Sequence, residues 1–127
     1  MEELIEQARA VVQHSYAPFS EFRVGAAVRD EQGRIHTGVN VENSSYGLTQ
    51  CAERSAICTA IGAGARNITA VVVYTPTDTP HLPCGACRQV IREFGADAKI
   101  LSVCDTDACE EHTISELLPK SFVLDSD

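Results

Sequence analysis

Apolar positions follow a helical period at the N-terminus and a strand period soon after it. Residues 2–15 carry Leu4, Ile5, Ala8, Val11 and Val12 at helical spacing with charges between them, which predicts an amphipathic helix. Ala17-Pro18-Phe19-Ser20 breaks it. Residues 22–29 and 34–41 read as two strands joined by a short hairpin loop, Asp30-Glu31-Gln32-Gly33. Glu42-Asn43-Ser44-Ser45-Tyr46-Gly47 is polar and turn-rich and reads as a loop. From Cys51 to Ala63, alanines together with Ile57 and Ile61 predict a second helix, ended by Gly62 and Gly64. Thr69 to Tyr74 is a continuous apolar run of strand length, as a strand buried on both faces requires. Pro76, Pro80 and Pro83 make 75–83 a loop, and Cys84 to Phe94 predicts a third helix with Gly95 just past it. Lys99 to Cys104 reads as another strand and residues 105–112 as a polar, acidic loop at the edge of any pocket. Ser115-Glu116-Leu117-Leu118 starts a last short helix, capped by Ser115 and stopped by Pro119.

Helices alternating with strands in this order predict an α/β fold, a central sheet with helices on its faces. A length of 127 residues suits one domain over 1–127, and no repeat or linker divides it. Acidic residues number 18 against 10 basic ones, for a net charge of −8. A nucleic-acid binder needs a basic face to displace counterions, so nucleic acid is disfavoured as a partner, whereas a small uncharged substrate is compatible. No apolar run reaches the roughly 20 residues that span a bilayer. Met1 to Glu6 is acidic where a secretion signal is basic. The reading is a soluble, cytoplasmic protein with no membrane partner, and the tail Asp125-Ser126-Asp127 reads as a solvated end.

The cysteines add chemistry to this picture. Six of them, Cys51, Cys58, Cys84, Cys87, Cys104 and Cys109, are many for a reducing compartment and few for a disulfide scaffold. A CxxC in such a chain points to metal or redox chemistry before structural disulfides. Cys84 and Cys87, three apart at a helix start, can turn their sulfurs to one side. Cys51, at the start of another helix, suits a third ligand. A catalytic zinc takes three ligands from the protein and keeps a fourth position for water. Glu53, two residues after Cys51, would then lie beside that water without binding the metal, placed to move protons. Residues two apart do not share a helix face, so Cys51 must sit at the cap with non-helical dihedrals.

These motifs resemble those of the cytidine deaminase family in its short, homotetrameric, three-cysteine form. Tyr16-Ala17-Pro18-Phe19-Ser20, Phe22 and Val24-Gly25-Ala26-Ala27 are similar to the family's N-terminal signature. Gly38 to Leu48 resembles its ribose-binding segment. Cys51-Ala52-Glu53-Arg54 and Pro83-Cys84-Gly85-Ala86-Cys87-Arg88-Gln89-Val90 are close to its two zinc motifs. Glu116-Leu117-Leu118-Pro119 and Phe122 are similar to its C-terminal end, so the resemblance runs from about residue 5 to 122. It implies a three-layer α/β/α sandwich around a mixed central sheet, that Cys51, Cys84 and Cys87 hold one Zn²⁺ per subunit, and that Glu53 is the acid/base. The reaction implied is hydrolysis of cytidine and 2′-deoxycytidine to the uridines with release of ammonia, a step of pyrimidine salvage. The resemblance also implies that Asn40 and Glu42 bind the ribose hydroxyls, that Phe22 packs against the nucleoside, and that Ala52 offers its backbone to the base. Arg54 would donate to the ligand sulfurs and offset the charge of three thiolates. Ser44, Tyr46 and Phe122 match positions that complete a neighbouring subunit's site, which implies a homotetramer with shared sites.

Other readings compete with these. The cysteine pair could be redox-active, but that explains neither Glu53 nor the Asn40–Glu42 segment. A closed, non-catalytic structural zinc site needs a fourth ligand, for which His81 is placed three residues before Cys84. A sister deaminase acting on blasticidin S or a modified cytidine keeps the same metal chemistry. Cys58, inside an apolar helix, reads as a small core residue, as does Cys104 at its strand end, and Cys109 as an exposed thiol.

Overall fold

A computed structural model describes residues 1–124; the predicted acidic tail lies outside the described residues. Helix α1 (Glu2–Val11) continues as a 3-10 turn to His14. Strands β1 (Gly25–Asp30) and β2 (Ile35–Val39) form the hairpin, and helix α2 (Ala52–Gly62) follows. Strand β3 (Ile68–Tyr74), helix α3 (Gly85–Phe94) and strand β4 (Lys99–Val103) come next. Strand β5 (Cys109–Thr113) and the single-turn helix α4 (Ile114–Leu117) complete the chain. The sheet order is β2-β1-β3-β4-β5. The β3–β4 pair is parallel, as its helical crossover through α3 requires, and the other pairs are antiparallel.

The two faces of β3 are both covered, as its apolar run predicts. Val71 and Val73 pack with Ala56, Ile57 and Ala60 of α2 and Ile91 of α3. Ala70, Val72 and Tyr74 pack on the opposite face with Leu4 and Ala8 of α1. The result is the expected α/β/α sandwich on a mixed sheet. Two glycines set the layer spacing. A Cβ on Gly38 would lie 2.3 Å from Ala56 N and 2.7 Å from Ala52 O, so only glycine lets α2 settle onto β2. A Cβ on Gly25 would lie 2.3 Å from Ala8 O, which does the same for α1 on β1.

Three sequence expectations are corrected. Phe22–Val24 is not strand. The Asn40 carboxamide captures its backbone, accepting from Val24 N and donating to Phe22 O, where a ladder would otherwise form. Residues 109–112, read as part of a polar loop, belong to β5. Its polarity is that of an edge strand, with Cys109, Glu110 and Glu111 exposed, and charge on an edge blocks pairing with other chains. The cap of α4 is Thr113 rather than Ser115: its hydroxyl accepts from Glu116 N while Glu116 accepts from Thr113 N, a reciprocal capping box.

The β1–β2 turn is held by a buried carboxylate. Asp30 Oδ1 accepts from the backbone N–H of Gln32 and Arg34, and Oδ2 from Arg34 Nε at 2.9 Å, with His36 Nε2 at 2.9 Å. Burial alone would raise its pKa, but His36, the two backbone donors and Arg34 together outweigh this and hold it well below the usual carboxylate range. A carboxylate with a lowered folded pKa stabilises fully above its unfolded pKa of about 3.9, and that stability is lost as pH falls further. Urea midpoints measured from pH 7 down to pH 2 should therefore fall more steeply for the native protein than for Asp30→Asn. Parallel acid limbs would show that this carboxylate is not the anchor.

Candidate metal centre and active site

Helices α2 and α3 begin beside each other at one end of the sheet, and each begins on a cysteine. Cys51 caps α2 with φ −75° and ψ 154°, the extended dihedrals its motif requires. Cys84 caps α3 with φ −67° and ψ 169°. Neither sulfur caps its own helix, so both remain free for another partner. Cys87, on the first turn of α3, is fully buried. Cys84 Sγ lies 3.5 Å from Cys87 Sγ, and the three sulfurs of Cys51, Cys84 and Cys87 lie within 4.8 Å of one another. A disulfide would bring two sulfurs to about 2.05 Å. Tetrahedral zinc with Zn–S bonds of about 2.3 Å sets its sulfurs ~3.8 Å apart, inside the observed spread.

The acid–base behaviour of the donor set also fits a cation. Cys51 is pulled down to about 5, first because Cys87 donates to it and then because Arg54 sits against it, although burial opposes both. Cys87 is pushed up, because it donates to Cys51 and is buried beside Glu53. One sulfur therefore ionises at the expense of its neighbour. A divalent cation bound among the sulfurs would relieve that conflict, because metal ligation favours the thiolate. Among the described residues no fourth His, Cys, Asp or Glu joins the cluster. His81, the candidate for closing a structural site, instead packs its ring against Phe22.

Glu53 lies on the first turn of α2 and is 5% exposed. Burial pushes its carboxyl up to about 7, with Cys51 adding in the same direction and Arg54 opposing. A group near neutrality takes a proton and returns it at little cost. The positive charge of a bound metal would pull this value back down. Arg54 Nη2 donates to Cys51 Sγ at 3.2 Å and reaches Thr49 O at 3.5 Å, and Nε has no partner among the described residues. The guanidinium faces the sulfurs rather than a carboxylate. So placed it would offset thiolate charge, and Arg54→Ala should then slow turnover about 10-fold or more while zinc content falls less. Steady-state rates beside metal analysis decide this; unchanged turnover would move the offset to the helix N-termini.

The three cysteines and Glu53 line a cavity of about 310 Å³, within the size range of small-molecule sites. Phe22, Asn40, Glu42 and Ala52 line the same cavity, so these sequence-predicted residues converge. Tyr46 and Phe122 do not line it; they are 75% and 71% exposed. Tyr46 borders an adjoining cleft with Phe19, Ser20, Glu42 and Thr49. Residues 105–112 do not reach the cavity's edge.

Asn40 and Glu42 do more locally than their motif implies. Asn40 Oδ1 accepts from Val24 N at 3.0 Å and from Ser15 Oγ, and Nδ2 donates to Phe22 O at 2.7 Å. Glu42 accepts from the backbone N–H of Phe19 and Ser20 and from Ser20 Oγ. The Ser20 hydroxyl is the main reason that its carboxyl sits below the usual range, with the two backbone donors helping against burial. Both side chains thus tie residues 15–24 over the pocket. Sequence reasoning missed Ser20, Thr49 and His81 as pocket residues, since single polar residues in loops carry no periodic signal. Of the other cysteines, Cys104 is buried as expected and Cys109 exposed, but Cys58 is exposed on α2 rather than in the core. It falls on the side of α2 opposite the sheet-facing Ala56, Ile57 and Ala60.

Comparison with known proteins agrees with this geometry. The model of the cytidine and deoxycytidylate deaminase zinc-binding region matches residues 1–103. The chain is 44% identical to a cytidine deaminase of Sporosarcina psychrophila over 124 residues, covering 96% of this chain and 90% of that one. It is likewise 44% identical to that of Halalkalibacterium halodurans over 120 residues, covering 94% and 91%. The crystal structure of cytidine deaminase from Burkholderia pseudomallei superposes with a TM-score of 0.91 at 41% identity, covering 95% of this chain and 98% of that one. Two cysteine-capped helices brought to one sheet end, in a chain this similar over nearly its whole length, place it in the cytidine and deoxycytidylate deaminase family.

Proposed function

We propose that the chain acts as one catalytic domain over 1–127 and hydrolyses cytidine and 2′-deoxycytidine to uridine and 2′-deoxyuridine, releasing ammonia. The single observation that carries this reading is a buried carboxyl, Glu53, set beside an open three-sulfur metal cluster in one cavity. Cys51, Cys84 and Cys87 would hold a zinc ion, which would supply an activated water next to C4 of the pyrimidine. Glu53 takes the proton from that water and protonates N3. It then moves the remaining proton of the new C4 hydroxyl to the exocyclic amine, the C4–N bond breaks, and the amine leaves as ammonia. The Ala52 backbone faces the base, Phe22 packs along the ring, and Asn40 and Glu42 meet the ribose hydroxyls. A phosphate on the sugar would meet the Glu42 carboxylate, and two like charges at about 4 Å in a partly dry site cost several kcal/mol. Free nucleosides are therefore favoured over nucleotides.

The protein works in the cytoplasm, where thiols stay reduced; no described helix is long and apolar enough to cross a membrane. It assembles as a homotetramer that shares its sites. Support comes from the exposed Tyr46, Leu48 and Phe122, apolar surface that a second subunit would cover, with Tyr46 in the cleft that adjoins the pocket. Loss of the cytidine absorbance band with purified protein tests the reaction, with blasticidin S and cytidine monophosphate as competing substrates. Preference for either over cytidine would overturn the substrate assignment. Sedimentation of a stable monomer would overturn the assembly.

A further inference from the structure

One wall of the cavity has no part in the chemistry above. It is formed by His81, from the loop between β3 and α3. That loop is pinned on both sides of His81. Upstream, Thr77 O accepts from Asp105 N at 2.9 Å, Asp78 O accepts from Thr106 Oγ1 at 2.9 Å, and Thr79 O accepts from Thr77 Oγ1 at 2.7 Å. Downstream, the buried Pro83 has its carbonyl held by Arg88 Nε at 2.8 Å. Pro80 and Pro83 restrict the short span between these anchors. The span presents the His81 ring to Phe22 with centroids 5.1 Å apart and planes at 77°, an edge-to-face pair.

Phe22 needs such a neighbour. Its backbone carbonyl is fixed by Asn40, but it lies outside any strand and 38% of it is exposed. Among the described residues, His81 is the one aromatic partner of its ring. We propose that His81 is a positioning residue: its imidazole braces the Phe22 ring as the pocket's aromatic wall, and the pair sets how tightly a pyrimidine nucleoside is gripped. This rests on the deaminase reading. His81 does not touch the sulfur cluster, so it acts on binding rather than on the metal or the proton transfers.

The test compares His81→Ala and His81→Phe in the zinc-loaded enzyme with cytidine. His81→Ala raises KM about three- to tenfold, the worth of an edge-to-face pair, with kcat within about twofold and zinc content unchanged. His81→Phe keeps an edge-to-face partner and returns KM to within about twofold of the native value. In a Phe22→Leu background, His81→Ala adds little further, because the brace has nothing left to hold. An unchanged KM in His81→Ala overturns the proposal, and so does a His81→Phe variant as impaired as the alanine one. A fall in zinc or kcat in step with KM would also overturn it, by assigning His81 to the metal or the fold. A native protein inactive on cytidine would instead overturn the deaminase reading, and this inference with it.

Discussion

Glu53→Gln should lower kcat on cytidine by about 10²- to 10⁴-fold, the usual worth of a positioned acid–base group. Zinc content and KM should stay near native values. The exchange is nearly isosteric, and Glu53 lies outside the sulfur cluster, so the metal keeps its protein ligands. What is lost is a group that takes a proton and gives it back. The fold should not suffer, because a buried neutral amide escapes the cost of a buried charge. The sign of the stability effect is set by the carboxyl's raised pKa of about 7. A carboxyl raised above its unfolded value of about 4.3 stabilises below that value and loses its contribution as pH rises through 7. In metal-free protein, Glu53→Gln should remove this alkaline decline, which urea midpoints at pH 5 and pH 8 would register. Activity of the Gln variant within tenfold of native would remove Glu53 from the mechanism.

Cys87→Ala should empty the centre of zinc and take the activity with it. Losing an outer partner of a metal ligand costs about 10- to 100-fold in affinity, and losing a ligand itself costs more. Cys87 is the critical choice because it is fully buried and in contact with Cys84, so water cannot easily take its place. After dialysis against a chelator, zinc per chain should fall from one to near zero, and added zinc should not restore turnover. Cys58→Ala and Cys109→Ala serve as controls. Both thiols are exposed and outside the cluster, so zinc and activity should remain. A Cys87→Ala protein that keeps stoichiometric zinc would mean that the metal sits elsewhere.

Where pattern and packing agree, the fold was legible. The continuous apolar run of β3 foretold burial on both faces, and Ala56, Ile57 and Ala60 of α2 lie on the sheet as their spacing implies. Reading failed where one side chain outweighed local propensity. Phe22 to Val24 looks like strand, but the Asn40 carboxamide takes the hydrogen bonds a ladder would need. Residues 109–112 look like loop because an edge strand at the end of a sheet has few apolar neighbours to require apolar residues. Cys58 was misplaced because cysteine is among the most often buried residue types, whereas here it falls on the face of α2 turned away from the sheet.

The chemistry was legible too, in part. Cys51 with Glu53, and Cys84 with Cys87, are short-range patterns, so local geometry alone constrains them. Bringing the two motifs together was a separate matter. They are joined through the central sheet, with Gly38 letting α2 lie flat and the parallel β3–β4 crossover carrying α3 alongside. Tertiary structure alone decided that Glu53 is buried enough to titrate near neutrality, that Asn40 and Glu42 also fasten the segment bearing Phe22, and that His81 faces a phenyl ring instead of the metal. The sequence by itself determined which groups could do chemistry, because ligand type and helix starts are local properties. Burial, charge proximity and ring contacts depend on residues distant in the chain, and only packing brings those together.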